Sequence, residues 1–267
     1  MKLLIDGRPI RQPLSGSAKF IVELHRGLRE TNFDHRIFLQ DRNSKAIYKS
    51  LISRHHQHVN GTNPVLENLL WEFFPMLSKK REKFDVVHET YFANLNYKTK
   101  TKVATIHDLI PLDHPEWFTK KLSLVVKSNF QRQARTCAEI IFSSHFTQKQ
   151  AIAHGFNGRS RVIHLGAAKT SLRNFDRSRL TDVDSRLVQE DYITILGNVE
   201  PRKGHLELAL AINYLNKVAS KKVHLVIVGS PIHRAKGILD SITTLLGDQV
   251  IFTGYVDDET KDHILQF

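Results

Sequence analysis

The chain has 267 residues, 41% of them hydrophobic, which fits one large or two ordinary folded domains and excludes a disordered protein. Its 39 lysines and arginines outnumber 27 aspartates and glutamates, and the net charge of +12 favours anionic partners. The single cysteine, Cys137, excludes an internal disulfide framework, and no apolar run reaches the roughly 18 residues of a membrane-spanning helix. Because Asp6 lies too near the start for a signal peptide, we predict a cytoplasmic protein.

The first 165 residues alternate short apolar strands with helical stretches, a pattern typical of α/β layers around a parallel sheet. Strands are predicted over 2–6, 36–39, 85–88, 102–106, 140–143 and 161–164. Helices are predicted around Ile21, Leu24 and Leu28, over 64–77, and between a Ser144 cap and Gly155. We predict that residues 1–165 form one domain.

A second α/β series follows a polar stretch, 166–190, which lacks periodicity and is predicted to be a linker. Strands are predicted over 192–196, 223–228 and 250–252. Helices are predicted over 206–215 and 238–246 and after an Asp257 cap. Three strands are fewer than the roughly five or six of a doubly wound sheet. We therefore expect a second domain, residues 191–267, that is incomplete as written.

An anion-binding turn is predicted where the apolar strand 192–196 runs through Gly197 into the helix that begins near His205. Arg202 and Lys203 stand in this turn, and the helix N-terminus adds backbone N–H groups and a favourable dipole. The residues match neither a Walker A loop nor a G-x-G-x-x-G fingerprint. An ordinary strand-to-helix turn with solvated cations is the alternative.

A basic helix is predicted over 120–135, with Val125, Val126, Phe130 and Ala134 on its apolar side. Its cations are Lys120, Lys121, Lys127, Arg132 and Arg135. Such a helix can lie on an anionic membrane surface, and the alternative is a solvated helix face. Nucleic acid is not expected as a partner, because no nucleic-acid-binding motif is present and the basic residues are scattered.

The histidines of the run 55–58 raise the question of a metal site. Adjacent side chains point to opposite faces of a strand and diverge by about 100° on a helix. No cysteine or carboxylate cluster lies nearby in sequence, so no metal site is predicted.

Four blocks resemble the family-4 retaining glycosyltransferases of the GT-B fold, in their bacterial mannosyltransferase-like branch. The blocks are the glycine loop 14–18 with its helix 20–28, the run 103–111 (compare T-x-H-D-L-x-P), the turn 196–204, and the pair 225–229 and 250–256. They occur in the family's order along nearly the whole chain. The resemblance implies an α/β, GT-B protein with two Rossmann-like domains, each with a parallel sheet, on either side of a cleft. The first domain would bind the acceptor, and the second, incomplete here, the nucleotide sugar.

The resemblance also implies an activity. A mannose-like sugar would pass, with retention, from a nucleoside-diphosphate sugar to a saccharide or lipid-linked acceptor in bacterial surface-polysaccharide or glycolipid assembly. No metal or other cofactor is implied, because protein cations and helix N-termini neutralise the diphosphate in most members. The protein would then be cytoplasmic and peripheral on the inner face of the membrane.

Roles for individual residues follow from the matched motifs. Gly16, Arg202 and Lys203 would hold the donor, with Lys203 on the diphosphate. His107 would be catalytic, because it would orient a donor-sugar hydroxyl or stabilise developing positive charge through its backbone carbonyl. His88 and Glu89 would line the acceptor cleft, and the alternative for them is a solvated strand end.

The chain departs from the family at two points. Asn198 stands where many relatives carry an arginine that contacts the diphosphate. The family's C-terminal pair of glutamates, eight positions apart, is absent. The main alternative is therefore a catalytically inactive, truncated module that binds a sugar nucleotide or a partner. A GT-B-like sugar-nucleotide epimerase is a further alternative.

Overall fold

The computed structural model describes residues 1–10, 15–39, 58–60, 83–92, 94–95, 97–166, 176–220, 222–232 and 235–266. The chain divides into two compact units, Met1–Lys169 (unit 1) and Thr170–Phe267 (unit 2). Each unit contains a parallel sheet with helices packed on it, so the α/β class predicted from the alternation is confirmed. The predicted helix 64–77 and the histidines at 55 and 56 lie outside the described residues.

Unit 1 contains a parallel sheet with seven described strands in the order β3-β2-β1-β4-β5-β6-β7. The strands are β1 Leu3–Asp6, β2 His35–Leu39, β3 His58–Asn60, β4 Lys83–Glu89, β5 Lys98–Ile106, β6 Glu139–Phe142 and β7 Ser160–Val162. The order reverses between β1 and β4. In parallel α/β sheets, ligands bind beyond the carboxyl ends of the strands at such a reversal. The residues that follow β1, β4 and β5 therefore define the candidate site of unit 1.

Three of the four described helices of unit 1 begin at a hydroxyl cap. The four helices are α1 Gly16–Glu30, α2 Ile110–Asp113, α3 Lys120–Thr136 and α4 His145–Ala153. Ser15 caps α1 and Ser144 caps α4, since each hydroxyl accepts a hydrogen bond from the N–H three residues later. Gly155, with φ +86°, follows the end of α4, where a left-handed residue is favoured.

Unit 2 contains a parallel sheet with three described strands in the order β10-β9-β8. The helices are α5 Arg186–Gln189, α6 His205–Val218, α7 Ala235–Leu246 and α8 Asp258–Gln266, and the strands are β8 Tyr192–Leu196, β9 His224–Val228 and β10 Val250–Gly254. Leu225 and Ile227 of β9 face a core shared with α6 and α7. Val226 and Val228 face a second core, shared with α8. The central strand β9 is thus buried on both faces, as its continuous apolar sequence indicates.

The last part of the predicted linker is folded onto unit 2. Residues 177–182 form a 3-10 helix, and α5 follows it directly. Leu180 and Leu187 are each 1% exposed and pack in the core that contains Val226 and Ile264. The sequence pattern did not indicate this, because two short helices of different pitch give no common hydrophobic period.

Unit 2 also carries exposed apolar side chains on β8 and α6. Leu196 lies at the end of β8, which is the edge strand among the described residues. Leu210, Tyr214 and Val218 lie at fourth-residue spacing on α6, and Tyr214 is 69% exposed. Across the described ranges, no helix is both long enough and apolar enough to cross a membrane.

Candidate functional site

Two glycines bring the ends of β8 and β9 into contact in unit 2. Gly197 (φ +143°) and Gly229 (φ +153°) follow these strands directly, and both adopt a φ that side chains rarely allow. A Cβ on Gly229 would lie 2.1 Å from the carbonyl oxygen of Gly197, a clash with rigid backbone. The missing side chain of Gly229 therefore allows this close packing, whereas the backbone at Gly197 has space beside it that a ligand can approach.

The two cations of the predicted anion site have different surroundings. Arg202 Nη2 lies 2.7 Å from Oε1 of Glu200, a residue that is only 8% exposed, so this guanidinium is already neutralised. Lys203 is exposed and forms no ion pair with any residue that the structure describes. Its Cε is 3.9 Å from where a Cβ on Gly197 would lie. Of the two cations, Lys203 is therefore the one whose charge remains available to an anion beside Gly197.

Helix α6 begins directly after this turn and adds its N-terminus. Its N-cap is Gly204 (φ +72°), which offers no side-chain acceptor to the first N–H groups of the helix. His205 is 1% exposed, and burial lowers its pKa, so it is neutral at neutral pH. Attraction for an anion at this turn therefore comes from Lys203 and from the helix N-terminus.

In unit 1, the first turn of α1 lies beside His107. The Phe20 ring packs edge-on against the His107 imidazole, with ring centroids 4.8 Å apart. Gly16 is the first residue of α1, and a Cβ there would meet nothing within 4 Å among the described residues. Gly16 thus lies about one turn before the residue of α1 that contacts His107.

His107 directly follows β5. Its backbone carbonyl has hydrogen-bond partners among the described residues, whereas its imidazole Nε2 has none. The carbonyl accepts hydrogen bonds from the hydroxyls of Ser143 at 2.8 Å and Thr147 at 3.0 Å. The carbonyl is thus already occupied, although the sequence predicts it as one of two groups that could act on the donor sugar. The imidazole Nε2 is buried without a hydrogen-bond partner among the described residues. Burial lowers the pKa of His107, and Asp108 offsets part of that effect, so the ring is neutral at neutral pH.

His88 lies near the end of β4 and is 8% exposed. Its Nε2 is hydrogen-bonded to Oγ1 of Thr105, on the neighbouring strand, at 2.7 Å. Burial lowers the pKa of His88 to about 4; Asp6 opposes that shift, and His107 adds to it. His88 is therefore a neutral, buried neighbour of His107, and it offers little surface to an acceptor.

A buried ion pair lies at the same edge of the sheet, at the end of β1. Asp6 is fully buried and accepts hydrogen bonds from Arg8 Nε at 2.9 Å and Nη2 at 2.7 Å. Sequence reasoning missed this pair. Its signal was a carboxylate at the end of an apolar strand with an arginine two residues later.

Glu89 lies in a buried polar network. It is 0% exposed and accepts hydrogen bonds from Arg132 Nη2 at 2.7 Å, Gln133 Nε2 at 3.0 Å and the Leu95 N–H at 3.2 Å. Lys102 Nζ lies 3.6 Å away. A carboxylate with no exposed surface neither lines an acceptor cleft nor forms a solvated strand end, so both sequence-based expectations for Glu89 need correction. Buried carboxylates require compensating partners, and Glu89 finds two of them on α3.

The free energy of unfolding should fall as the pH falls from about 6.5 to about 4, because of His88. The unfolded chain takes up a proton near pH 6.5, whereas the folded chain resists protonation at His88 until about pH 4. His88 can change the free energy of unfolding by at most about 1.4 kcal/mol per pH unit within that window. Above the window it adds no pH dependence. Urea unfolding across the window should show a shallower fall for His88→Asn than for the wild type. Parallel curves would contradict the expected role.

Two family models match the sequence. The model for Glycosyltransferase Family 4 matches residues 14–168, more than half of the chain. The chain belongs to glycosyltransferase family 4. The model for glycosyl transferases group 1 matches residues 180–266, so each match falls within one unit. No curated protein matches the sequence.

Several solved structures resemble this family 4 chain. Anabaena HepE, in complex with UDP and glucose, superposes with a TM-score of 0.64 and 17% identity, over 98% of this chain and 71% of HepE. TarM of S. aureus gives a TM-score of 0.64 and 10% identity, over 98% and 78% of the two chains. The lipopolysaccharide outer core galactosyltransferase WaaB gives 0.56 and 13%, over 100% and 71%. The fold is GT-B, as predicted, whereas the retaining, mannosyltransferase-like assignment stays a prediction.

Among the residues that the structure describes, no group of three His, Cys, Asp or Glu side chains is placed to hold a metal ion. Glu200 was the residue that sequence reasoning missed in unit 2. Its signal was an acid two positions before Arg202, in a turn otherwise assigned to cations.

Proposed function

We propose that this family 4 chain transfers a mannose-like sugar from a nucleoside-diphosphate sugar to a saccharide or lipid-linked acceptor, with retention at the anomeric carbon. The observation that carries the proposal is the turn after β8. There Lys203, without an ion-pair partner among the described residues, stands beside Gly197 and the start of α6.

This turn suits the leaving group of the reaction. Cleavage of the sugar–phosphate bond places negative charge on the diphosphate, and preorganised cations and helix N–H groups stabilise such charge. We assign the diphosphate contact to Lys203. Arg202 is held by Glu200 at 2.7 Å, so we assign it to fixing the shape of the turn. No metal or other cofactor enters this proposal.

We assign His107 to the donor sugar through its imidazole. A neutral ring can accept a hydrogen bond from a sugar hydroxyl or donate one to it, according to its tautomer. The Nε2 atom has no partner among the described residues, and this supports the assignment. Gly16 is assigned to close approach of the donor at the start of α1, because the space around it is open.

The similar structures support a nucleotide-sugar donor. HepE is in complex with UDP and glucose, and WaaB is a galactosyltransferase of the lipopolysaccharide outer core. We propose an acceptor of the same surface-glycan class, and accordingly a cytoplasmic protein that works at the inner face of the membrane.

A transfer assay tests the proposal. The purified chain is incubated with UDP- and GDP-sugars and lipid-linked saccharide acceptors, and the anomeric configuration of the product is read by NMR. Acceptor-dependent consumption of a donor, with retained configuration, is the expected result. An inverted product would contradict the proposal. Nucleotide binding without any transfer would favour the inactive binding module.

Lys203→Ala should weaken binding of a nucleoside diphosphate by about 1.5–3 kcal/mol, because a charge-assisted hydrogen bond is lost. That loss corresponds to roughly a ten- to hundredfold rise in Kd. Calorimetric titration at fixed salt measures it. Lys217→Ala is the matched control, since this exposed lysine lies at the opposite end of α6 and should leave Kd nearly unchanged. Equal affinities for the two variants would refute the role of Lys203.

A further inference from the structure

His205 is a buried histidine that the donor contacts proposed above leave unused. It is the first residue of α6 and is 1% exposed. Neither of its ring nitrogens, Nδ1 or Nε2, makes a hydrogen bond with any residue that the structure describes. Buried polar groups are normally paired, because an unpaired group loses its bonds to water without replacement. An imidazole with two unpaired nitrogens, at the start of the helix that follows the donor turn, therefore points to a ligand.

Within the described ranges, the charged groups that act on the His205 imidazole come from the turn after β8 and from α6. Burial has the largest influence and lowers the pKa of the ring. The Gly197 backbone lies beside the ring and favours its protonated form, although not in the geometry of a hydrogen bond. Glu200 and Glu207 also favour protonation, whereas Lys203 opposes it. These influences leave the imidazole neutral in the free protein, directly beside the backbone that a donor would approach.

An anion in the turn changes this balance of charge. A diphosphate held beside Gly197 and Lys203 adds negative charge close to the imidazole, and nearby opposite charge favours the protonated form of a histidine. A proton from the solvent also converts the ring nitrogen that was an acceptor into a second N–H donor. The ring then has donors for phosphate oxygens and for the Gly197 carbonyl, which would remove the unpaired nitrogens.

We propose that His205 is a further donor-binding residue, which takes up a proton when the diphosphate of the sugar nucleotide enters the turn and then holds that diphosphate together with Lys203. The inference rests on the proposed function, because it adds a residue to the same donor site. It also gives the reaction a gain, since cleavage of the sugar–phosphate bond leaves more negative charge on the diphosphate, and a charged imidazole stabilises that charge.

The sign of the pH dependence follows from the uptake of the proton. The bound anion raises the pKa of His205, so the protonated protein binds the sugar nucleotide more tightly than the neutral protein does. The gain in affinity is complete below the pKa of His205 in the free protein. It is lost as the pH rises through the higher pKa of the complex. A histidine that only fills space beneath the turn would give neither proton uptake nor this dependence.

Calorimetric titration with UDP-glucose and with GDP-mannose tests the proposal, in buffers that differ in their enthalpy of ionisation. Both phosphates of these probes are esterified and keep their charge between about pH 5.5 and about pH 8, where histidines titrate, so a proton taken up is bound by the protein. A nearby charge shifts a protonation equilibrium by about tenfold or more. The Kd of the wild type for a bound probe should therefore fall about tenfold towards the acid end, with net uptake of protons.

Two variants remove the titrating group, and a third removes a buried histidine elsewhere in unit 2. His205→Gln and His205→Asn should keep the weaker affinity of the alkaline end at every pH and should take up no proton. His224→Gln is the matched control, because His224 is 7% exposed and begins β9, at the opposite end of that strand from Gly229. It should retain the pH dependence of the wild type. Circular dichroism at each pH checks that the variants are folded.

The possible results separate this inference from the donor site itself. Binding by the wild type without proton uptake would overturn the role of His205 and leave the proposed donor site intact. So would a pH dependence that persists in both His205 variants, or one that is lost equally in His224→Gln. A wild type that binds neither sugar nucleotide at any pH would overturn the donor site and, with it, the role of His205.

Discussion

Glu89→Gln is expected to lower the free energy of unfolding of unit 1 by about 3–5 kcal/mol, the usual cost of breaking one partner out of a buried charge network. The carboxylate is 0% exposed and meets Arg132 at 2.7 Å and Lys102 at 3.6 Å. An amide keeps the volume but leaves two cations facing a neutral group in a region of low dielectric. Because both tryptophans, Trp71 and Trp117, belong to the residue range of unit 1, urea unfolding followed by tryptophan fluorescence reports on this unit.

Glu23→Gln is the matched control for that prediction. Glu23 pairs with Arg26 at 2.6 Å on the surface of α1, and both side chains are about half exposed. Solvated pairs of this kind contribute about 0–1 kcal/mol. Similar small losses for the two variants would show that Glu89 does not organise the packing of α3 on the sheet.

Gly229→Ala is expected to destabilise unit 2 by about 2–6 kcal/mol. A side chain at φ +153° costs about 1–3 kcal/mol of backbone strain, and a Cβ 2.1 Å from the Gly197 carbonyl oxygen adds a comparable overpacking term. The colliding atom belongs to the backbone at the end of β8, so relief requires the two strand ends to separate. Hydrogen exchange in peptides covering β8 and β9 should accelerate strongly.

Gly237→Ala provides a comparison with the opposite sign. Gly237 lies in α7, and a Cβ there would meet nothing within 4 Å. Replacing a helical glycine by alanine gains about 0.5–1 kcal/mol. Exchange rates that rise equally in both variants would contradict the close approach of Gly197 and Gly229.

The sequence predicts most of the strands correctly because short apolar runs bounded by turn residues are typical of the strands of parallel sheets. The prediction for β8, residues 192–196, agrees with the structure at both ends, and the Asp257 cap is confirmed by its hydrogen bond from the Thr260 N–H at 2.7 Å. Caps and turns of this kind depend on neighbouring residues, so local chemistry is enough to find them.

Side-chain partners distant in sequence could not be predicted in the same way. Glu89 and Arg132 are 43 residues apart, and only the packing of α3 on the sheet brings them together. The apolar side of 120–135 was recognised correctly by its period, but a period does not say whether that side faces a core or a membrane. Arg202 and Lys203 are adjacent in the sequence and carry the same charge. Only the structure, in which Glu200 pairs with Arg202, distinguishes the role of one cation from that of the other.

Lys203 and the turn around it are proposed to bind the diphosphate of a sugar-nucleotide donor. The most direct measurement is a paired calorimetric titration of the wild type and Lys203→Ala with UDP and with UMP at one salt concentration. We expect the wild type to prefer UDP, and Lys203→Ala to lose most of that preference while its weaker affinity for UMP changes little. A wild type that does not distinguish UDP from UMP, or a preference that Lys203→Ala leaves intact, would contradict the claim.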